Sequence, residues 1–289
     1  MAIQTEIEQH YKEMARFTEA ILQQYRPALL AVEAQLFDEV AKMLTALKYD
    51  ADGNLLPDQD LQKIIAEIDL LYLKVSNNPA FKESTTQFLT NFDTIRQNQI
   101  ALHQAVNKAE LTANLTANLT KQQTFLIQAT EYGLRQGGLK LYFVEQAKQV
   151  LIQSATFGYS IQESEKLLRK RIKTTYNNDS YFLRYATQVA RDSISEYQGQ
   201  INQMYAKEFD FKYIRYIGSL VKDSRPLCKH LIHTYGTKPI PVTELNKTLK
   251  KYGGSKSLSK GMKPNTSIEN FCIVRGGYNC MHEAIPTRE

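Results

Sequence analysis

The regular spacing of apolar residues is the sequence feature that most limits the fold of this chain. Over residues 4–48, 58–76, 80–110 and 121–156, an apolar side chain recurs about once or twice per helical turn. Because an α-helix turns once in about 3.6 residues, this spacing places the apolar side chains on one face of each helix. The pattern predicts a mainly α protein that begins with a long helical arm or bundle.

Breaks within this helical region are expected where proline or paired glycines occur. Pro27 is predicted to kink or end the first helix, because proline has no N–H to donate to the helix ladder. Gly137 and Gly138 predict a second break. The repeat LTANLTANLT at 111–120 spaces its leucines four residues apart, which favours one apolar stripe that contacts another helix.

The character of the sequence changes in its C-terminal half. Ser160 and Glu163 have the spacing of a capping box and predict a helix that begins near residue 161. The segment 209–217 alternates aromatic and other side chains, which favours a β-strand, and FCIVRGG at 271–277 is predicted to form another strand. We therefore expect a small α+β domain after the helical region.

The predicted division places a helical, partner-binding arm at residues 1–155 and the α+β domain at 156–289. Residues 206–289 contain 15 Lys and Arg against 7 Asp and Glu, a local net charge of +8, whereas residues 1–205 carry −2. Such a basic segment is typical of contact with nucleic acid or with an acidic protein surface. A solvated, lysine-rich surface is the alternative.

All three cysteines, Cys228, Cys272 and Cys280, lie in this basic segment. The N-terminus has no apolar signal segment, and no stretch approaches the roughly 18 apolar residues of a membrane span. We therefore expect a protein made in the cytoplasm, without a membrane span. In a reducing compartment, clustered cysteines favour metal binding or free thiols over a disulfide.

Two motifs occur in a fixed order in the C-terminal half. DSRPLC at 223–228 is followed, after a gap of about fifty residues, by GGYNCMH at 276–282 and then by Pro286. Together with an Ala-Arg pair at 190–191 and an aromatic strand before the first motif, this order resembles the phage Mu F-like head-morphogenesis family of minor head or minor capsid proteins. The resemblance covers about 150–289. Met281 departs from it, because many relatives have arginine between the last cysteine and the histidine.

The resemblance implies a structural minor head protein of a tailed bacteriophage, not an enzyme. Such a protein is expected in multiple copies in the virion head, which assembles in the cytoplasm of the bacterial host. Its expected partners are portal or capsid proteins and the packaged double-stranded DNA. Two alternatives stay open: a zinc-stabilised nucleic-acid-binding module, and an enzyme that uses Cys228 and His282 as a thiol–imidazole dyad.

The cysteines and histidines of the motifs suggest a zinc site. Cys228, Cys280 and His282 supply three ligands of a type that zinc prefers, and structural zinc takes four in a tetrahedron. The fourth ligand is expected among three further residues: His233, His230 or Cys272. The alternatives are a contact between Cys228 and Cys280, reduced or oxidised to a disulfide, and separate buried thiols.

The other motif residues have structural interpretations. Asp223 and Arg225 fit a turn with a helix cap or an ion pair. Gly276 and Gly277 fit a place where the backbone turns or approaches another group closely, and Asn279 belongs to the same motif. Six lysines form a basic run that could contact DNA phosphate: Lys247, Lys250, Lys251, Lys256, Lys260 and Lys263. No aromatic residues alternate with these lysines, which disfavours base stacking, and a solvated loop is the alternative.

Overall fold

A computed structural model describes residues 2–56, 61–172, 180–277 and 280–288. The fold is mainly α, with a small antiparallel sheet of three strands near the C-terminus, and this confirms the fold class expected from the sequence. Within the described ranges, no helix is both long and apolar enough to cross a membrane.

Most described residues of the N-terminal two thirds of the chain are helical. The helices are α1 (Ala2–Thr45), α2 (Leu61–Ser76), α3 (Pro79–Asn107), α4 (Ala113–Tyr132), a π-helical segment (Gly133–Val144), α5 (Glu145–Phe157), α6 (Ile161–Ile172) and α7 (Tyr181–Glu208). The predicted capping box is present: Ser160 N donates to Glu163 Oε2 at 2.9 Å, and Glu163 N donates to Ser160 Oγ at 3.3 Å. This exchange satisfies two backbone donors at the start of α6.

The first helix does not end at Pro27, and the break predicted at Gly137 and Gly138 is wrong. Helix α1 continues through Pro27, and the chain stays helical through Gly137 and Gly138 as part of the π-helical segment. At Gly138, an added Cβ would lie 3.3 Å from the Tyr185 ring and 3.4 Å from the Phe182 ring. The glycine therefore allows close packing against α7 instead of ending the helix.

The C-terminal part contains the strands. They are β1 (Tyr213–Ile217), β2 (Ile240–Pro241) and β3 (Glu283–Thr287), with helices α8 (Pro226–Tyr235), α9 (Val242–Gly253) and the single turn α10 (Phe271–Val274) between them. The predicted strand at 271–277 is wrong, because Phe271–Val274 is helical and the strand begins later, at Glu283. A short apolar run does not by itself distinguish a strand from a buried helical turn.

Internal contacts divide the chain into two compact units. The sheet unit comprises Met1–Ile21, Thr90–Gln128 and Arg191–Glu289, and the helical unit comprises Leu22–Leu89 and Ala129–Ala190. The limits of these units differ from the predicted domain limits 1–155 and 156–289. That division, which concerns folding and partner binding, stays a prediction.

The sheet is covered on both faces by helices of the sheet unit. Strand β1 lies in the middle, with Ile214 opposite Ile240 of β2 and Tyr216 opposite Ala284 of β3. Successive side chains of a strand point to opposite faces. One face therefore packs against α8, α9 and α10, and the other, with Ile217 and Ile285, packs against α1 and α3.

A buried polar network attaches the edge strand β3 to helices α3 and α7. Asn202 Nδ2 donates to Ala284 O at 3.1 Å, and Asn107 Nδ2 donates to Pro286 O at 2.9 Å. His103 lies between the two asparagines, with its ring nitrogens 2.9 Å from Asn202 Oδ1 and 3.0 Å from Asn107 Nδ2. These side-chain amides donate hydrogen bonds to backbone carbonyls of β3 that would otherwise be buried without partners.

Candidate metal centre

Four side chains meet on the α8 face of the sheet. Cys228 lies in the first turn of α8, which begins with Pro226 at a position where the missing N–H costs no helical hydrogen bond. Cys280 and His282 lie in the segment that leads into β3, and Tyr216 is on β1. All four are buried, with exposed fractions between 0% and 7%.

The ligand atoms of Cys228, Cys280 and His282 form a compact cluster. They all lie within 4.8 Å of one another, and among the described residues this is the group of His, Cys, Asp and Glu side chains that could hold a metal ion. The three cysteines are free thiols. Cys280 Sγ is 3.6 Å from His282 Nδ1, and the Gly276 backbone N–H donates to Cys280 Sγ at 3.3 Å. The structure thus joins the two motifs in one site.

Tyr216 completes the surroundings of the two thiols. Its Oη lies 3.3 Å from Cys228 Sγ and 3.5 Å from Cys280 Sγ. Its ring stacks on the His282 imidazole, with centroids 5.1 Å apart and planes inclined by 8°. Among the described residues, the two sulfurs are the hydrogen-bond partners of this buried hydroxyl.

Gly276 is required by the close approach of the backbone to the thiols. A Cβ at this position would lie 2.2 Å from Cys228 Sγ, 3.0 Å from Cys280 Sγ and 3.3 Å from Tyr216 Oη. No side chain fits at such distances without displacing the cluster. The close contact with the two sulfurs therefore explains why the second motif has glycine at position 276.

The two thiols differ in their ionisation. The pKa of Cys280 is held well below its usual range, first by the hydrogen bond from Cys228 and then by His282 and Arg275, while burial opposes the shift. The pKa of Cys228 is raised, because it hydrogen-bonds to Cys280 and is buried. The arrangement favours a thiolate at Cys280 that accepts a hydrogen bond from the Cys228 thiol, and a thiolate is the form that binds metals.

Arg275 places a positive charge next to the centre. Its Nη1 donates to the carbonyl of His282 at 3.0 Å, its other terminal nitrogen donates to Ser195 Oγ, and its side chain is buried. The residue has a φ of +47°, in the left-handed region that non-glycine residues seldom adopt. The backbone is therefore strained at the residue whose guanidinium donates a hydrogen bond to the carbonyl of His282.

The three ligands fit a metal ion by donor type and by spacing. Two thiolates and an imidazole are zinc ligands, with Zn–S near 2.3 Å and Zn–N near 2.0 Å. In a tetrahedron with those bond lengths, a sulfur and a nitrogen are about 3.5 Å apart, and Cys280 Sγ and His282 Nδ1 are separated by 3.6 Å. The second ring nitrogen of His282 is buried and has no hydrogen-bond partner among the described residues. These residues could therefore bind a metal.

None of the three expected fourth ligands joins this cluster in the described structure. His233 is exposed, and it lies five residues after Cys228, about 140° around the helix. His230 packs against Tyr252 with ring centroids 5.4 Å apart. Burial, and then the charge of Lys251, lowers the pKa of this histidine. Cys272 is buried apart from the cluster, and burial raises its pKa to about 12.

The remaining motif residues surround the site. Asp223 is exposed in the turn before α8, and Arg225 occupies the cap position of that helix without capping it through its side chain. Gly277 has a φ of +110°, and a Cβ there would lie 2.1 Å from Gly261 O, so this position also excludes side chains. Asn279 lies outside the described residues.

The six lysines divide into paired and exposed groups. Lys247 is within 3.5 Å of Glu244, and Lys263 forms a half-buried ion pair with Glu196. The other four are exposed on α9 and on the loop that follows it: Lys250, Lys251, Lys256 and Lys260. These four are the members of the run that are placed to contact phosphate.

A small cleft adjoins the centre. Cys280, His282 and Arg275 line it together with residues of α1 and α7 such as Tyr11 and Arg191, and its volume is about 100 Å³. Pockets for small-molecule substrates typically measure about 300–1,000 Å³. The cleft is therefore small for a substrate site.

Sequence reasoning missed Tyr216 and Arg275. Tyr216 was recognised only as part of an aromatic strand, although its even spacing from Ile214 places both on the buried face. Arg275 directly precedes the paired glycines of the second motif. An arginine in a largely apolar segment was the available signal that a buried charge lies near an anionic group.

Comparison with models of protein families, with curated proteins and with solved structures finds no match. The resemblance to the Mu F-like head-morphogenesis family stays a prediction that rests on the order and spacing of the two motifs.

Proposed function

We propose that this chain is a structural minor head protein of a tailed bacteriophage, and that its Cys228–Cys280–His282 centre binds a zinc ion. It acts in the virion head, in multiple copies, after assembly with portal or capsid proteins in the host cytoplasm. The observation that carries the proposal is the meeting of the two motifs. Segments separated by about fifty residues supply one buried cluster whose ligand atoms lie within 4.8 Å of one another.

A structural role for the metal agrees with the burial of its ligands. Cys228 and His282 are almost fully enclosed, and Cys280 has an exposed fraction of 7%. A nucleophilic thiol must reach a substrate, and the adjoining cleft of about 100 Å³ offers little room for one. We therefore favour a zinc that stabilises the fold over a thiol–imidazole dyad, and we propose that the protein is not an enzyme.

Zinc would connect elements that are far apart in the sequence. The described residues between α10 and β3 form no helix or strand, and the loop between α9 and α10 contains only turns. A metal that binds Cys228 on α8 and two residues before β3 would join this segment to the helix. Because the unfolded chain has no preformed site, the binding free energy becomes folding free energy.

A second candidate function is contact with double-stranded DNA. It is favoured by the four exposed lysines Lys250, Lys251, Lys256 and Lys260 on one short stretch of the sheet unit. Such lysines could neutralise phosphates without reading base sequence. Contact of this kind suits a protein that faces packaged DNA, and it also suits the alternative of a nucleic-acid-binding module outside virions.

Particle composition tests the proposed role. Virions of the phage whose genome encodes this chain would be purified on a density gradient, and their heads would be analysed by mass spectrometry. The full chain would also be co-expressed with the portal protein of the same genome and purified through a tag on the portal. We expect the chain in the head fraction and in the portal eluate. Its absence from both would contradict a minor head protein.

A further inference from the structure

The tetrahedral centre requires a fourth ligand, and we propose that Tyr216 supplies it through its phenolate oxygen. This inference rests on the proposed zinc site and goes beyond it. The ligands would then be Cys228, Cys280, His282 and Tyr216, all from the protein. Closed sites of this kind stabilise structure, whereas catalytic zinc sites keep a position open for water.

The first argument is the position of the Tyr216 hydroxyl. In a zinc tetrahedron with a Zn–S length of about 2.3 Å and a Zn–O length of about 2.0 Å, sulfur and oxygen ligands are about 3.5 Å apart. Tyr216 Oη lies 3.3 Å from Cys228 Sγ and 3.5 Å from Cys280 Sγ. The oxygen therefore stands at the distance of a fellow ligand from both sulfurs.

The second argument is that the hydroxyl has no other role in the described structure. The hydroxyl belongs to a fully buried side chain, and among the described residues its hydrogen-bond partners are the two sulfurs. A buried hydroxyl ordinarily has an oxygen or nitrogen partner, and among the described residues this one has only sulfur atoms within hydrogen-bond distance. The stacked ring of His282, 5.1 Å away and nearly parallel, fixes the phenol next to the third ligand.

The third argument is charge. Zinc with two thiolates, a neutral imidazole and a phenolate carries a net charge of −1. Arg275 is buried beside this set, and among the described residues it has hydrogen-bond partners but no carboxylate within ion-pair distance. The nearby Glu283 carboxylate is held by Gln99 Nε2 at 2.9 Å and by Asn202. A centre of charge −1 gives the buried guanidinium its counter-charge.

The binding step balances in protons. Zinc displaces to solvent the phenol proton and any protons that the two thiols carry, and it forms bonds to Cys228 Sγ, Cys280 Sγ, His282 and Tyr216 Oη. No oxidant or reductant takes part. The phenol proton distinguishes a ligand from a hydrogen-bond donor, because a donor keeps its proton when zinc binds.

The test is ultraviolet difference spectroscopy of the full chain. Zinc would be removed with a chelator under reducing conditions and added back at neutral pH, while bound zinc is measured by elemental analysis. We expect uptake of zinc to produce the absorption band of ionised tyrosine, equivalent to about one tyrosine per chain. The band should be absent in Tyr216→Phe and present in Tyr213→Phe, a matched variant on the same strand.

Each outcome of this test decides a separate point. If the wild-type protein takes up zinc without the tyrosinate band, Tyr216 is not a ligand, although the zinc site stands. If the wild-type protein takes up no zinc, the proposed metal site fails together with this inference. The wild-type spectrum decides the question even if Tyr216→Phe does not fold. A folded Tyr216→Phe protein that keeps the band would also overturn the inference.

Discussion

The α-carbon of Gly276 faces Cys228 so closely that a Cβ on the glycine would lie 2.2 Å from the cysteine sulfur. The second motif thus contributes its backbone as well as its cysteine and histidine to the centre. The Gly276 N–H donates to Cys280 Sγ at 3.3 Å, and this hydrogen bond stabilises negative charge on that sulfur.

Replacing Gly276 with alanine should destabilise the sheet unit. The added methyl must displace Cys228 Sγ, and overpacking of this kind typically costs about 1–3 kcal/mol in the free energy of unfolding. Chemical denaturation followed by circular dichroism measures the loss. The control is Gly253→Ala at the end of α9, where a Cβ meets no atom within 4 Å. Equal free energies of unfolding for the two variants would contradict the close approach of Gly276 to Cys228 Sγ.

The buried His103 should make stability depend on pH. Burial lowers its pKa from 6.5 to about 3 in the folded protein. The unfolded chain therefore takes up the proton first as the pH falls. Stability is complete above pH 6.5 and decreases from there towards pH 3, by about 1.4 kcal/mol per pH unit for one proton. Denaturation at several pH values between 7 and 4 measures the slope.

Two variants separate the contribution of His103 to the pH dependence of stability from the contributions of other groups. His103→Gln removes the titration, so its stability should decrease less steeply with falling pH, although the variant is less stable at neutral pH. His233→Gln removes an exposed histidine and should leave the slope as it is in the wild type. An unchanged slope in His103→Gln would assign the pH dependence to other residues.

Exposed lysines should control any binding to DNA. Each phosphate contact contributes about 0.9 to the slope of log K against log salt concentration. Changing Lys250, Lys251, Lys256 and Lys260 to glutamine should lower that slope by up to about 3.6, as measured by fluorescence anisotropy with duplex DNA. The control removes the same charge elsewhere, at four other exposed lysines: Lys12, Lys82, Lys121 and Lys170. Equal slopes in both variants would contradict a specific phosphate-binding surface.

Much of the fold follows from local pattern. The helical spacing and the capping box of Ser160 and Glu163 depend on neighbours within a few residues, so the sequence predicts them. The first helix does not end at Pro27, and at Gly138 close packing against Tyr185 and Phe182 outweighs the local preference for a break. The apolar run that begins at Phe271 had no periodicity long enough to separate a helical turn from a strand.

The site could be predicted only in part, for a related reason. Cys228, Cys280 and His282 are identifiable from residue type and order, and the structure brings them together. The fourth position depends on which side chain the sheet places opposite them. Strand pairing over long sequence separations places the Tyr216 hydroxyl next to Cys228 and Cys280, whereas the exposed His233 lies on the far side of its helix.

Loss of a zinc ligand should cost more than loss of an isolated buried thiol. Cys280→Ala removes a ligand and should lower the free energy of unfolding by several kcal/mol in protein kept with zinc. Cys272→Ala removes a buried thiol outside the cluster and should cost less. Denaturation of both variants, with and without chelator, measures the difference. A chelator should destabilise Cys272→Ala and leave Cys280→Ala unaffected, and the opposite pattern would argue against the assigned ligands.

The metal content of the full chain tests the central claim most directly. The protein would be purified under reducing conditions without chelator and analysed for zinc and other metals, beside Cys280→Ala and Cys272→Ala. The account predicts about one zinc per chain in the wild type and in Cys272→Ala, and none in Cys280→Ala. Wild-type protein that is folded and free of metal, even after incubation with zinc, would contradict it and would leave Cys228, Cys280 and His282 as a packed cluster of thiols and imidazole.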